Sequence, residues 1–72
     1  MTNKELLNER IEKSGLKKGY IAIVLGMTPG SLSHKIANRR DFKASEINAL
    51  CELLGIDTLE EKEAIFFAPK VA

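Results

Sequence analysis

Apolar residues recur three and four positions apart along most of the chain, which is the spacing of residues on one face of an α-helix. In the first such stretch these positions are Leu6, Leu7 and Ile11. Thr2 and Glu5 precede the stretch with the spacing of a capping box, and Gly15 follows it as an end signal. The pattern therefore predicts a first helix that begins after Thr2 and ends near Gly15.

The stretch 17–40 predicts two short helices joined by a tight turn. Ala22 is small enough for a second helix to cross closely. Gly26 suits the left-handed conformation that ends a helix, and Thr28-Pro29 suits the N-cap and first position of the next one. The predicted inward-facing residues are Ile21, Val24 and Leu25 in the first helix, and Leu32 and Ile36 in the second. The predicted outer face of the second helix consists of Ser31, Ser33, His34, Lys35 and Asn38.

The remainder of the chain predicts two more helices. Phe42 lies in the loop before the fourth helix, and its ring is expected to pack into the core. Residues 44–54 carry an apolar stripe with regular helical spacing, and Gly55 ends it. Asp57 or Thr58 is expected to cap a fifth helix. The stripe of residues 44–54 consists of Ile47, Leu50, Cys51 and Leu54. Together these signals predict an all-α protein with five short helices and a single domain over residues 1–72.

The central stretch resembles the Cro/repressor helix-turn-helix family, the lambda-repressor-like DNA-binding domains. The matching residues are Ile21-Ala22, Leu25-Gly26-Met27-Thr28 and Leu32, and the run 42–55 resembles the helix that usually follows the motif. The resemblance implies a compact five-helix lambda-repressor-like fold with the motif at about residues 17–38. It also implies a transcriptional regulator, most often a phage or bacterial repressor, that occupies an operator in double-stranded DNA. Two positions depart from the family pattern: Lys35 stands where an apolar residue is commonest, and Pro29-Gly30 replaces long polar residues.

Composition fits a small globular protein, and the distribution of charge is informative. The chain has 72 residues, of which 44% are hydrophobic, and a formal net charge of +1. Residues 1–43 hold nine Lys/Arg and four Asp/Glu, whereas residues 44–72 hold two and six. Such asymmetry suggests that one face meets a polyanion. The sequence has no apolar run of membrane-spanning length and no signal-peptide pattern, so a cytoplasmic location is expected.

The residue types around the central stretch suggest roles in DNA binding. Side chains on the outer face of the second helix of the motif are expected to read bases, because serine, lysine and asparagine can hydrogen-bond base edges. These candidates are Ser31, His34, Lys35 and Asn38. Cations at either end of the motif are expected to contact phosphates, which gives affinity and register but no sequence information. They are Lys17, Lys18, Arg39, Arg40 and Lys43.

The C-terminal part of the chain suggests a partner. Phe66 and Phe67 are adjacent, so they point to different sides of a helix, and one ring is expected to stay exposed. An exposed apolar patch on so small a domain suggests a homodimer contact at Phe66 and Phe67, and hence a roughly palindromic operator. The alternative from another class is a protein-interaction module, antitoxin-like or adaptor-like, that docks a partner through this patch.

Catalysis and metal binding find little support in the sequence. Zinc needs three or four ligands, whereas the chain has one histidine, His34, and one cysteine, Cys51. Cys51 falls in a buried stripe and is expected to be a core thiol. Residues 26–30 lack the ending of a phosphate-binding loop. No enzymatic activity, cofactor, metal or small-molecule substrate is therefore expected.

Overall fold

The chain forms helices throughout, as the sequence predicts. The computed structural model describes residues 1–69, and the last three residues of the predicted domain, 70–72, lie outside them. Within the described range the helices are α1 (Lys4–Ser14), α2 (Lys18–Leu25), α3 (Pro29–Ile36), α4 (Ala44–Leu54) and α5 (Leu59–Phe66), and there is no strand. The predicted all-α, five-helix architecture is confirmed. None of the helices in residues 1–69 has the length and apolar character needed to cross a membrane.

The helix starts follow local capping chemistry. The hydroxyl of Thr28 accepts a hydrogen bond from the backbone N–H of Ser31 at 3.1 Å, and Pro29 occupies the first helical position, as predicted. Thr58 caps α5 in the same way. The prediction for α1 is wrong by one residue: the side chain of Asn3, rather than Thr2, caps this helix. Thr2 is buried instead, and its backbone N–H donates to the side chain of Asn38, 36 positions away in the sequence.

The ends of α2 and α3 share one geometry. Gly26 has φ 72°, and the N–H of the next residue, Met27, donates to the carbonyl of Ala22 at 2.9 Å. After α3 the left-handed position is taken by Asn38, with φ 66°, and Arg39 N–H donates to the carbonyl of His34 at 2.9 Å. Both are Schellman-type ends, in which a left-handed residue turns the chain and satisfies free carbonyls. The first was predicted from its glycine; the second has none and was missed.

One core joins the helices. α1 packs on α4 and α5, and α2 packs on α3 and α4. The predicted stripe of α4 is buried, as are Leu32 and Ile36 of α3. Phe42 packs against this core, where its ring meets that of Phe66 edge-on, with 5.7 Å between ring centroids. The buried apolar residues are Leu7, Ile11, Ile21, Ala22, Leu32, Ile36, Ile47, Leu50, Cys51, Leu54, Ile56, Ile65 and Phe66.

Two predicted core positions are wrong. Leu6 and Val24 are exposed, although each belongs to a predicted apolar stripe. On α2 the reason is that the helix is apolar on nearly every side, and the bundle covers only the side of Ile21 and Ala22. The opposite side exposes Tyr20, Ile23 and Val24, with Ile23 at 76% of its full accessibility. An exposed apolar stripe therefore runs along α2.

Candidate nucleic-acid interface

α3 has one side against the bundle and one side in solvent. Its exposed residues recur with helical spacing, so they form a single outward stripe. They are Pro29, Gly30, Ser33 and His34, and Ala37 continues the stripe just past the end of the helix. Apart from His34 these side chains are small, so the backbone of α3 is accessible to a large partner along this stripe. His34 was predicted to face outward, and it does.

Ser31, another predicted base reader, sits in the first turn and is half-buried. Its hydroxyl accepts a hydrogen bond from the hydroxyl of Thr28 at 3.1 Å. The cap therefore fixes the orientation of Ser31, whereas Ser33 is exposed on the outward stripe. Sequence reasoning placed Ser33 on the outer face without giving it a role. The available signal was that Ser33 directly precedes His34 on the predicted outer face.

Lys35 does not face outward, which corrects its assignment as a base reader. The residue is 9% exposed, and its Nζ lies 2.6 and 2.9 Å from the two carboxylate oxygens of Glu46 on α4. Leu32, Lys35 and Ile36 have the i, i+3, i+4 spacing of one helix face, so all three point toward the bundle. Lys35 is thus a buried cation on the inner face of α3, and Glu46 neutralises its charge there.

Glu46 links α3 to the start of α4. Besides binding Lys35, its carboxylate accepts a hydrogen bond from the backbone N–H of Lys43 at 2.8 Å, at the N-terminus of α4. Burial by itself raises the pKa of Glu46. The hydrogen bonds from Lys35 and Lys43, together with the charges of these lysines, outweigh burial and hold the pKa below its ordinary value. The carboxylate is therefore charged at neutral pH and ties α3 to the start of α4.

Asn38 is exposed, but its side-chain amide is bound within the protein, which argues against its assignment as a base reader. Its side-chain amide accepts a hydrogen bond from the N–H of Thr2 at 2.8 Å and donates one to the carbonyl of Thr2 at 2.9 Å. Both polar atoms of the amide are thus engaged by the N-terminal segment. The available sequence signal was that asparagine is the residue most often found, after glycine, in the left-handed position that ends a helix.

The predicted phosphate-binding cations fall into two groups. Arg39, Arg40 and Lys43 lie in the connection between α3 and α4, and all three are exposed. Phe42, in the same connection, is pinned against Phe66. Among residues 1–69 none of these three cations forms an ion pair, whereas Lys35 is paired. Within the described residues, the connection after α3 therefore carries three cations without an ion-pair partner and one acid, Asp41, which leaves it with a net charge of +2.

Lys17 and Lys18 form the second group, at the start of α2. Lys17 is the N-cap residue, and no side chain caps this helix. Its first N–H groups are therefore open, in contrast with those of α1, α3 and α5, where Asn3, Thr28 and Thr58 act as caps. Open N–H groups, the helix dipole and two lysines together favour an anion such as a phosphate.

The C-terminal aromatic pair divides as expected, and one residue leaves the predicted dimer contact. Phe66 is 4% exposed and belongs to the core, so it cannot contact a second copy. Phe67 is 57% exposed. It lines an open surface depression together with Leu59, Lys62 and Glu63 of α5. The apolar surface available here consists of Leu59 and Phe67.

The single cysteine, Cys51, is buried, whereas the single histidine, His34, is exposed. Cys51 is buried in the α4 stripe, as predicted, and burial raises the pKa of its thiol, with Lys62 lowering it and Glu61 raising it by smaller amounts. Within residues 1–69 no three His, Cys, Asp or Glu side chains come together as a metal site.

Comparisons of the chain with protein-family models, curated proteins and solved structures found no match.

Proposed function

We propose that this protein binds double-stranded DNA through α3. The outward stripe of α3 is narrow and carries Ser33 and His34, both able to hydrogen-bond base edges. A helix with small outward residues can enter a major groove about 12 Å wide. Ser31 contributes from the first turn. Lys35 takes no part in base reading because it is buried against Glu46, and Asn38 takes no part because both polar atoms of its exposed side chain are bound to Thr2.

Phosphate contacts supply most of the affinity in this proposal. Arg39, Arg40 and Lys43 follow α3 directly and lie where the chain leaves the groove. Lys17 and Lys18 bind a second stretch of backbone with the open N–H groups of α2. If each protomer neutralises about three phosphates, a dimer would show a log–log salt slope near −5.

The biological role proposed is that of a transcriptional regulator. The resemblance to Cro-like proteins favours a phage or bacterial repressor that blocks an operator by occupancy. A homodimer formed through Phe67 and Leu59 would place two α3 helices in successive major grooves about 34 Å apart, on a roughly palindromic site. The observation that carries the proposal is the exposed stripe of α3 leading into three exposed, unpaired cations within residues 1–69.

The arginine pair provides the test. Replacing Arg39 and Arg40 together with Ala should weaken binding to all duplex sequences alike and flatten the salt slope of a dimer by about 3 to 4, because each lost phosphate contact contributes about 0.9. Thermal stability should change little, since both side chains are exposed. Binding is measured by fluorescence anisotropy on a mixed-sequence duplex over a range of salt concentrations.

A double variant of equal charge serves as the control. Lys4→Ala with Lys13→Ala also removes two positive charges, both from exposed positions of α1. This variant should keep the wild-type salt slope. Equal losses in both double variants would show that only net charge matters, and the assignment of Arg39 and Arg40 would then be wrong.

The rival proposal is a protein-interaction module, and the exposed apolar surfaces favour it. Phe67 and Leu59 on α5, and the stripe of Tyr20, Ile23 and Val24 on α2, are both uncovered within residues 1–69. Binding to a protein partner through such surfaces would depend weakly on salt. The absence of salt-dependent affinity for any duplex would therefore favour this module over the DNA-binding function.

A further inference from the structure

The N-terminal segment lies between the end of α3 and the end of α5. Asn3 N–H donates to the carbonyl of Ile65 at 2.6 Å, and the carbonyl of Met1 accepts a hydrogen bond from Ala68 N–H at 2.9 Å. Thr2, between them, turns its N–H and carbonyl toward Asn38 instead. This alternation is what an extended backbone gives. We call residues Met1–Asn3 the N-terminal strap.

Asn38 links the strap to the arginine pair. Its left-handed backbone, with φ 66°, ends α3 and directs the chain into Arg39 and Arg40. Its side chain is bound at both polar atoms to Thr2, which is itself buried. The residue immediately before the arginines is therefore anchored to the strap, and through the strap to α5.

We propose that Asn38 is a positioning residue for DNA binding. Through the strap it fixes the backbone of Arg39 and Arg40, so that this backbone loses little further conformational freedom when the two side chains contact phosphates. The proposal rests on the proposed function. Other contacts hold the far end of the connection, where Glu46 binds the Lys43 N–H and Phe42 packs on Phe66. At the near end the Arg39 N–H is bound to the His34 carbonyl, and the side chain of Asn38 adds the tie to the strap. A preorganised contact loses less conformational freedom on binding than a mobile one.

Replacing Asn38 with Gly separates its two contributions. Glycine adopts the left-handed backbone without strain, so the variant removes the side-chain bridge to Thr2 and adds backbone freedom at position 38. Thr58→Ala is the control, since it removes a helix cap on α5 and leaves the connection between α3 and α4 intact. Because α5 carries the proposed dimer contact, all proteins are compared at a concentration at which sedimentation shows the same oligomeric state. Asn38→Gly should lower the affinity for a mixed-sequence duplex about tenfold or more and flatten the salt slope. Thr58→Ala should retain the wild-type slope, even where the two variants lose similar thermal stability.

A second measurement needs no DNA. In ¹⁵N relaxation experiments, the amides of Arg39 and Arg40 should become mobile on the picosecond-to-nanosecond timescale in Asn38→Gly, and should stay ordered in Thr58→Ala. Wild-type binding with the expected slope, combined with an Asn38→Gly variant that matches Thr58→Ala in slope and loop order, would overturn the positioning role alone. A wild-type protein without salt-dependent duplex binding would overturn the proposed function, and the positioning role with it.

Discussion

Lys35 and Glu46 form the most buried ion pair within residues 1–69. Their side chains are 11% and 13% exposed, and the Nζ–Oε1 distance is 2.6 Å. A buried ion pair of this kind adds little stability compared with apolar residues, but removing one partner leaves an uncompensated charge, which is costly. Its value here is geometric, because it links α3 to α4 next to the cations proposed to bind phosphate.

The pair makes stability depend on pH. Because the folded protein lowers the pKa of Glu46 below its ordinary value of 4.5, the charged carboxylate stabilises the fold above that pH. This contribution is lost as pH falls through the lower pKa of the folded state. Lys35→Met leaves Glu46 buried without its ammonium partner, so it should cost about 3 kcal/mol at pH 7. The difference from wild type should shrink on acidification below 4.5, as measured by urea unfolding from pH 7 to pH 3.

Lys13→Met is the matched control for that substitution. Lys13 is exposed and pairs only with Glu9 on the same helix, so the variant should follow the wild-type pH curve. A constant gap between Lys35→Met and wild type across the whole pH range would contradict the proposed contribution of Glu46.

At the scale of the element, α2 and its connection to α3 owe their form to two glycines in different backbone states. Gly19 lies inside α2 without a left-handed φ, and Gly26 ends the helix at φ 72°. An added Cβ would meet nothing within 4 Å at either position. Space is therefore equal at the two positions, and only backbone conformation distinguishes them.

The two Gly→Ala variants should have opposite effects on stability. Gly19→Ala should stabilise the protein by up to about 1 kcal/mol, because alanine favours the helix interior. Gly26→Ala should destabilise it by about 1–2 kcal/mol, because an L-residue is strained in the left-handed region. Differential scanning calorimetry would register shifts of opposite sign, each of roughly 4–8 °C per kcal/mol. A Gly26→Ala variant as stable as Gly19→Ala would show that α2 does not need this left-handed end.

At the scale of the whole molecule, the two exposed apolar surfaces raise the question of self-association. The proposed dimer uses Phe67 and Leu59 of α5, whereas Tyr20 belongs to the stripe on α2. Phe66 cannot take part, because its ring fills the core against Phe42. Exposed aromatic rings on small domains are typical anchors of an interface.

Sedimentation equilibrium distinguishes these surfaces. Phe67→Ala should convert a wild-type dimer to a monomer while leaving the monomer folded, because the ring is 57% exposed. Tyr20→Ala removes an exposed aromatic ring from the other surface and should leave the dimer intact. Dissociation by Tyr20→Ala instead of Phe67→Ala would move the dimer contact to α2, and a monomeric wild type would exclude the homodimer.

The sequence by itself determined the helices and most of their ends. Capping hydroxyls, left-handed glycines and apolar spacing act over three to five residues, so α4 was predicted to its boundaries and α3 from its Thr28-Pro29 start. Only the tertiary structure decided which polar side chains in α3 and just after it are bound by other parts of the chain. Lys35 is bound by Glu46, eleven positions away, and Asn38 by Thr2, thirty-six positions away. Such partners are brought together by packing, and no local pattern encodes them.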